Sequence, residues 1–327
     1  MQAAWYEQTG PAREVLQLGE MPTPTPGPGE LRVRVHWSGV NPTDVRRRAG
    51  GSGPIPFARV VPHMDGSGVV DAVGAGVDPA RVGESVWLHR AAWKRPGGTC
   101  AEYCVVPHTH AVTLPAGIDL RAGATLGVPA LTAHRAVFGF GEVRGRTVLV
   151  TGGAGAVGFY AIQLARWGGA RVIATASDEA KQAEALRAGA EAVIDYRHED
   201  VAQRVRALTA GAGVDHLVEV DFGGNLAATT ELMKPYGTIA AYASMGDRTP
   251  ALPFYPMQLR ALSFMIVALF DLPAHLQATA SAEVSQWLRE GTPRFPATRE
   301  FSLAQVAEAH EAVEQASAAR ALLRLAP

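Results

Sequence analysis

One stretch in the middle of the chain, Thr147 to Ser177, reads TVLVTGGAGAVGFYAIQLARWGGARVIATAS and restricts the fold more than any other. A short apolar run, Thr147 to Val150, enters a turn holding Gly152, Gly153, Gly155 and Gly158. A helix-like segment, Ala156 to Trp167, follows; Gly168 and Gly169 stop it, and a second apolar run, Arg171 to Ala174, comes next. Strand, glycine turn, helix, strand is the opening of a dinucleotide-binding βαβ unit. In Gly153-x-Gly155-x-x-Gly158 the first glycine is expected to permit the tight turn. The second lets backbone N–H groups approach a pyrophosphate, and the third lets helix and strand pack closely. Gly153, Ala154, Gly155, Ala156, Val157 and Gly158 are therefore the expected pyrophosphate cradle. The pattern is weak by itself; the apolar strands on both sides make it specific.

A chain of 327 residues, 47% of them hydrophobic, is long enough for two domains with sizeable cores. Its formal net charge of −1 gives no electrostatic case for nucleic acid or an anionic membrane as the main partner. Two cysteines cannot build a disulfide framework, which agrees with a reducing compartment. Met1 to Glu7 lacks a basic segment followed by an apolar one, and the apolar stretch near Leu262 to Phe270 is too short to span a bilayer. A soluble cytoplasmic protein is expected.

Residues 1–118 differ from the middle of the chain. Short β-type runs, Leu31 to Trp37, Gly68 to Val73 and Glu84 to Leu88, alternate with clusters such as Pro22 to Gly29 and Gly50 to Pro54. This predicts a β-rich barrel or sandwich, with Pro22 to Gly29 a rigid surface loop. From Leu120 apolar strands alternate with Ala-rich helices. Ser177 is expected to cap a helix running to Gly189. Ala192 to Tyr196, Val214 to Val220 and Gly237 to Tyr242 read as strands; Ala202 to Thr209 and Leu226 to Met233 read as helices. The alternation predicts a parallel, doubly wound sheet. Helices are predicted over Ala274–Glu290 and Leu303–Ala318, before a short apolar tail, Ala321 to Leu325. The expected class is α/β, divided at 1–118, 119–257 and 258–327.

Several motifs, taken in order, carry a resemblance. They are Gly39-Val-Asn-Pro-Thr-Asp, Gly66-Ser-Gly-Val-Val-Asp-Ala-Val-Gly, Ala101-Glu-Tyr, Pro129-Ala-Leu-Thr-Ala, the glycine loop and Val193-Ile-Asp-Tyr. With them the chain resembles the medium-chain dehydrogenase/reductase superfamily, and within it the zinc-free quinone oxidoreductase (zeta-crystallin-like) branch, over nearly its whole length. The resemblance implies a β-rich GroES-like N-terminal catalytic domain completed by the C-terminal return. It further implies a Rossmann domain between them, an active site in the cleft, and a homodimer. The sheet edge near Phe264 to Phe270 is the candidate interface.

Zinc-dependent relatives place a Cys just after the Gly-Val pair, where this chain has Asn41, and a His where it has Met64, ahead of Asp65-Gly66. Their structural zinc uses four cysteines against Cys100 and Cys104 here, which are expected as small core residues of a strand. A catalytic zinc needs about three protein ligands, so no metal is expected. His63 is expected at the surface or in a hydrogen bond.

An NAD-preferring site carries an acid roughly 20 residues past the glycines. Ala174, Thr175 and Ala176 stand there instead, followed by Ser177 and, one helical turn on, Lys181, which can serve a 2′-phosphate. Asp178 and Glu179 oppose this, although they also suit a helix N-terminus. By resemblance Tyr196 lies against the adenosine phosphate. Asp221, at the end of its strand, and Arg320, where the family often has Gly-Lys, complete the expected cofactor contacts. NADPH is the expected cofactor.

Without a Lewis acid the acceptor must already be electrophilic: a quinone, or an alkene conjugated to a carbonyl. Hydride addition leaves negative charge on the carbonyl oxygen, which needs a donor. By resemblance Asn41 faces the nicotinamide; as an Asn-Pro residue it also suits a turn that holds its own backbone, and the sequence leaves both roles open. Arg46 stands where many relatives have a tyrosine, and contacts an anionic group or solvent. Thr132 takes the family position near the nicotinamide carboxamide, or is a helix-face threonine. A short-chain dehydrogenase would need Tyr-x-x-x-Lys, yet Leu164 follows Tyr160 and Asp200 follows Tyr196 at that spacing. A nucleotide-binding sensor or a crystallin-like structural protein is the alternative from another class.

Overall fold

The strand that feeds the glycine turn is the centre of a parallel sheet. A computed structural model of the chain describes residues 1–316 and 319–325, in two compact units: Met1–Val128 with Phe295–Pro327, and Pro129–Arg294. In the second unit Thr147–Val150 pairs on one side with Arg171–Ala176, and beyond it lies Ala192–Asp195. On the other side come Val214–Glu219, Met233–Ala241 and Ser263–Ile266, every pairing parallel. Leu149, Ile173, Ile194, Leu217 and Ile239 are fully buried in the sheet. Burying a side chain of this kind is worth about 1.5–3 kcal/mol, which is why the strands read as near-continuous apolar runs. The order of the strands reverses between Thr147–Val150 and Val214–Glu219, and at such a switch point ligands sit outside the carboxyl ends of the strands.

The helix after the second strand spans Glu179–Ala188, and its cap is Asp178, not Ser177: the Asp178 carboxylate accepts the Lys181 N–H at 3.0 Å. Ser177 stays in the extended chain, buried. Asp221 caps the helix Phe222–Leu232, which therefore starts before Leu226, with Gly223 and Gly224 in its first turn. Ala274–Glu290 is a helix over the predicted span, and Trp287 on it meets Tyr160 edge-on at 6.0 Å. This contact and the sixth strand, Ser263–Ile266, belong to the second unit, which runs to Arg294 instead of ending at 257.

In the first unit Glu30–Gly39 is the central strand. It pairs antiparallel with Asp65–Val73, with Tyr103–Pro107 and with the returning strand Arg320–Arg324, whose Leu323 lies opposite Ser38. Ser85–Leu88, Ala111–Thr113 and Thr298–Ser302 complete the seven-stranded sheet. The segment expected as a helix at 303–318 is a single 3-10 turn, Leu303–Gln305, followed by the helix Val306–Glu314; residues 317 and 318 lie outside the described residues. Cys104 sits in the strand Tyr103–Pro107 and Cys100 just ahead of it, both buried, and burial pushes the Cys104 thiol up to about 12. The fold is α/β, a GroES-like β-rich unit with a Rossmann-like parallel sheet. Among the described residues no helix is long and apolar enough to cross a membrane.

Candidate functional site

The glycine turn divides its tasks differently from the expectation. Gly152, not Gly153, carries the positive φ of +64° that turns the chain. Gly153 is pressed against the second strand and helix: a Cβ there would lie 2.8 Å from that of Ala174. At Gly158 a Cβ would lie 2.3 Å from the Gly152 carbonyl oxygen, so the third glycine lets the helix sit on the turn itself. Gly155 is exposed, and a Cβ on it would approach Gly152 O at 3.2 Å. Gly155 is also the N-cap of the helix Ala156–Trp167 and makes no side-chain cap. The first helical bond is Phe159 N to Gly155 O at 2.8 Å, so the N–H groups of Ala156, Val157 and Gly158 precede it. That geometry fits the pyrophosphate of a dinucleotide.

At the end of the second strand, Ser177, Asp178 and Lys181 bond to one another. Lys181 Nζ donates to Ser177 Oγ at 2.9 Å and pairs with Asp178 Oδ2 at 3.0 Å, while Ser177 Oγ donates to Asp178 Oδ2 at 2.8 Å. The Lys181 backbone N–H, then its ammonium, hold the Asp178 carboxyl down to about 2. Tyr196 follows the third strand and is half exposed. Asp221 turns its carboxylate to backbone: it accepts Met245 N at 2.7 Å and Gly246 N at 2.9 Å, clasping the loop after Met233–Ala241.

In the first unit Asn41 is buried and caps the helix Pro42–Arg48. Its side chain accepts the Asp44 N–H while the Asp44 carboxylate accepts Asn41 N at 2.8 Å, a reciprocal capping box. Asn41 Nδ2 donates to Asp65 Oδ2 at 2.8 Å, and since Nδ2 donates and Oδ1 accepts, the orientation of the amide is assigned. Arg320 was expected on the cofactor; instead its guanidinium makes a buried ion pair with Asp65 Oδ2 at 2.9 Å. Val128 N donates to Asp65 Oδ1 at 2.8 Å. Burial drives both acids upward, Asp44 to about 7 with Asp65 adding to it, and Asp65 to about 6 against the pull of Arg320. Arg46 lies exposed in the last turn of the same helix. In the second unit Thr132 is 7% exposed on the helix Gly127–Phe138.

The neighbours of Asn41 bear on metal binding. Met64 is wholly buried as a core side chain. His63 is buried too, and both its nitrogens are engaged. Thr99 Oγ1 donates to Asp65 O at 2.5 Å, so Ser38 Oγ, 2.7 Å away, donates to Thr99. Ser38 therefore accepts from His63 Nδ1 at 2.8 Å, and His63 Nε2 accepts from His310 Nε2 at 2.9 Å. The tautomers of both rings follow from that chain. Among the described residues no group of three His, Cys, Asp or Glu is arranged to hold a metal ion.

The sequence reading missed Asp44, His310 and Glu219, and met Asp65 only as a neighbour of the lost zinc position. Glu219 carried a signal, an acid at the carboxyl end of a strand beside the switch point. Its Oε1 accepts from Thr151 Oγ1 at 2.8 Å, Asp221 N at 2.6 Å and Asn225 Nδ2 at 2.8 Å.

The chain is similar to known proteins over most of its length. The family model of the alcohol dehydrogenase GroES-like domain matches residues 27–116, and that of the zinc-binding dehydrogenases matches residues 156–286, a span that contains none of Asn41, Met64 and Asp65. The human quinone oxidoreductase is 28% identical over 316 residues, 96% of this chain and 94% of that protein. A probable quinone oxidoreductase of Schizosaccharomyces pombe is 30% identical over 325 residues, covering 97% and 95%. Among solved structures, an NAD-dependent alcohol dehydrogenase superposes with a TM-score of 0.88 at 30% identity, covering 100% of both chains. A mycobacterial protein in complex with NADPH does so at 0.85 and 28%, covering 99% of this chain and 100% of that one.

Proposed function

The chain belongs to the quinone oxidoreductase (zeta-crystallin-like) family of the medium-chain dehydrogenase/reductase superfamily and is an oxidoreductase, and from that premise we propose that it passes hydride from NADPH, without zinc, to a quinone or an α,β-unsaturated carbonyl. One observation carries the zinc-free reading. The Asn41 amide and the Arg320 guanidinium both converge on Asp65, the first with 2.8 Å and the second with 2.9 Å contacts. A fixed cation thus already satisfies the acid beside the two positions that have lost their ligands, and a neutral amide stands where a thiolate would.

Bound NADPH supplies the hydride. A quinone then takes hydride and one proton to give the hydroquinone; an enone takes hydride at the β-carbon and a proton at the α-carbon. Asn41 Nδ2 has a second N–H beyond the one given to Asp65, and we assign it to the carbonyl oxygen on which negative charge develops. Thr132 is assigned to the nicotinamide carboxamide, and Arg46 to an anionic group of acceptor or product. The donors of Ala156 to Gly158 hold the pyrophosphate, Tyr196 lies against the adenosine, and Ser177 with Lys181 takes the 2′-phosphate. Exposure of Phe264 (37%) and Ile266 (73%) on the edge strand Ser263–Ile266 supports a homodimer paired through that edge.

The test is to mix purified protein with NADPH and a panel of quinones and enones and follow absorbance of the reduced cofactor. Acceptor-dependent oxidation is expected. Tight NADPH binding with no oxidation across the panel would support a nucleotide-binding sensor instead. Metal analysis of protein purified without chelator is expected to find no stoichiometric zinc, and one zinc per chain would overturn the zinc-free reading.

A further inference from the structure

We propose that Glu219 is a positioning residue for the dinucleotide, holding the glycine turn and the Phe222–Leu232 helix together across the switch point of the sheet. The inference rests on the cofactor reading above and adds a residue to it. Glu219 ends the strand Val214–Glu219, beside Thr151 at the end of Thr147–Val150. Its Oε1 gathers three donors from three places: the hydroxyl of Thr151 at the entrance to the glycine turn, the backbone of Asp221, and the side chain of Asn225 on the helix. Thr151 is held a second time, because its Oγ1 accepts Val220 N at 2.9 Å and its backbone N–H donates to Val218 O at 3.0 Å. Asp221 extends the clasp to Met245 and Gly246. Two carboxylates therefore bind the turn after the first strand, the loop after the fourth and the loop after the fifth. These are the segments outside whose strand ends a ligand is expected.

The second oxygen makes the clasp responsive to protons. Glu219 Oε2 is buried and has no hydrogen-bond partner among the described residues. As a carboxylate, Glu219 offers three charge-assisted acceptor contacts; with a proton on Oε2 it keeps the contacts but loses the charge that strengthens them. Burial moves its titration upward from the ordinary glutamate range, and the nearby Asp221 carboxylate adds to the effect. The other ionisable group facing it is Tyr242, after the strand Met233–Ala241. The turn, and with it the first-turn N–H groups aimed at a pyrophosphate, is thus held more loosely in acid.

Dinucleotide affinity of Glu219→Gln, Glu219→Ala and Thr151→Val is to be measured by fluorescence titration from pH 5.5 to 8. NADH is the probe for the pH series, since it lacks the phosphate monoester that titrates near pH 6 in NADPH. Glu219→Gln keeps an oxygen for the three donors and is expected to bind NADH about 5- to 10-fold more weakly at pH 8, with a flat pH profile. Wild type is expected to weaken toward the acid end of the series, approaching the Gln variant. Glu219→Ala is expected to lose at least 30-fold at pH 8. Thr151→Val is expected to cost less in the Gln background than in wild type, because part of what it removes is the charge-assisted contact with Glu219. Parallel pH profiles for wild type and the Gln variant would overturn the proposal, and so would full additivity of Thr151→Val with Glu219→Gln. These two comparisons decide it even if the Ala variant does not fold. Wild type that binds neither NADH nor NADPH at any pH would instead overturn the cofactor reading on which the proposal stands.

Discussion

At the scale of single residues, cofactor choice comes down to one carboxylate. Lys181 is the cation suited to a 2′-phosphate, yet Asp178 holds it at 3.0 Å and adds a negative charge beside it. Asp178→Asn keeps an equally good N-cap and removes that charge. It is expected to raise the affinity for NADPH relative to NADH about 3- to 10-fold. Lys181→Ala should do the reverse, weakening NADPH about 10-fold and NADH little; fluorescence titration with both cofactors checks the pair, and equal effects on both would reject the 2′-phosphate role. Asn41 joins two tasks, cap and substrate donor. Asn41→Ala loses a cap worth about 1 kcal/mol and leaves buried Asp65 one partner short. Asn41→Asp keeps the cap but sets a third carboxyl against Asp44 and Asp65, so it is expected to unfold at lower temperature than the Ala variant in calorimetry. The sequence left the role of Asn41 open because nothing in Asn-Pro says which acid lies behind it. That acid, Asp65, comes from another strand.

At the scale of elements, the glycines of the turn separate folding from binding. Gly158→Ala puts a Cβ 2.3 Å from the Gly152 carbonyl and is expected to cost about 1–3 kcal/mol in urea unfolding. Gly155→Ala meets a 3.2 Å contact and is expected to leave stability within about 0.5 kcal/mol of wild type while weakening NADPH binding. If both variants lost stability equally, the open side of Gly155 would not be the ligand side. The edge strand gives a further test: Ile266→Lys places a charge on the exposed edge and is expected to convert a dimer into a monomer by light scattering after gel filtration. Elements with strong periodicity or clear stops were legible in the sequence, as with Ala274–Glu290. The edge strand was expected near Phe264 to Phe270 and is Ser263–Ile266; four residues inside an apolar run carry no period of their own to set its ends. The sheet contact along Met233–Ala241 makes it a strand.

At the scale of the whole molecule, buried histidines set the response to acid. Burial lowers His110 and His216 to about 4 and His310 to about 3, and lowers His63, His89 and His134 as well. Near pH 5 the rings of His110, His216 and His310 are neutral in the folded chain and protonated in the unfolded one, whose histidines titrate near 6.5. Their contribution is complete above about pH 6.5 and is lost as pH falls toward their folded values. Asp44 and Asp65 act in the opposite sense, being protonated when folded near pH 5 and ionised when unfolded. The histidines outnumber them, so unfolding takes up protons, and stability is expected to fall by at least 1 kcal/mol per pH unit near pH 5. Urea titrations at pH 7.5, 6 and 5 check this, and a midpoint that rises toward pH 5 would contradict it. By itself the sequence determined the α/β class, the dinucleotide turn and the loss of two zinc-ligand types, because strand, helix and glycine patterns act over a few neighbouring residues. The tertiary structure alone decided where the charges go. Arg320 lies on Asp65, Lys181 on Asp178 and Glu219 on Thr151; in the first and last of these pairs the partners are brought together across the sheets from segments far apart in the chain.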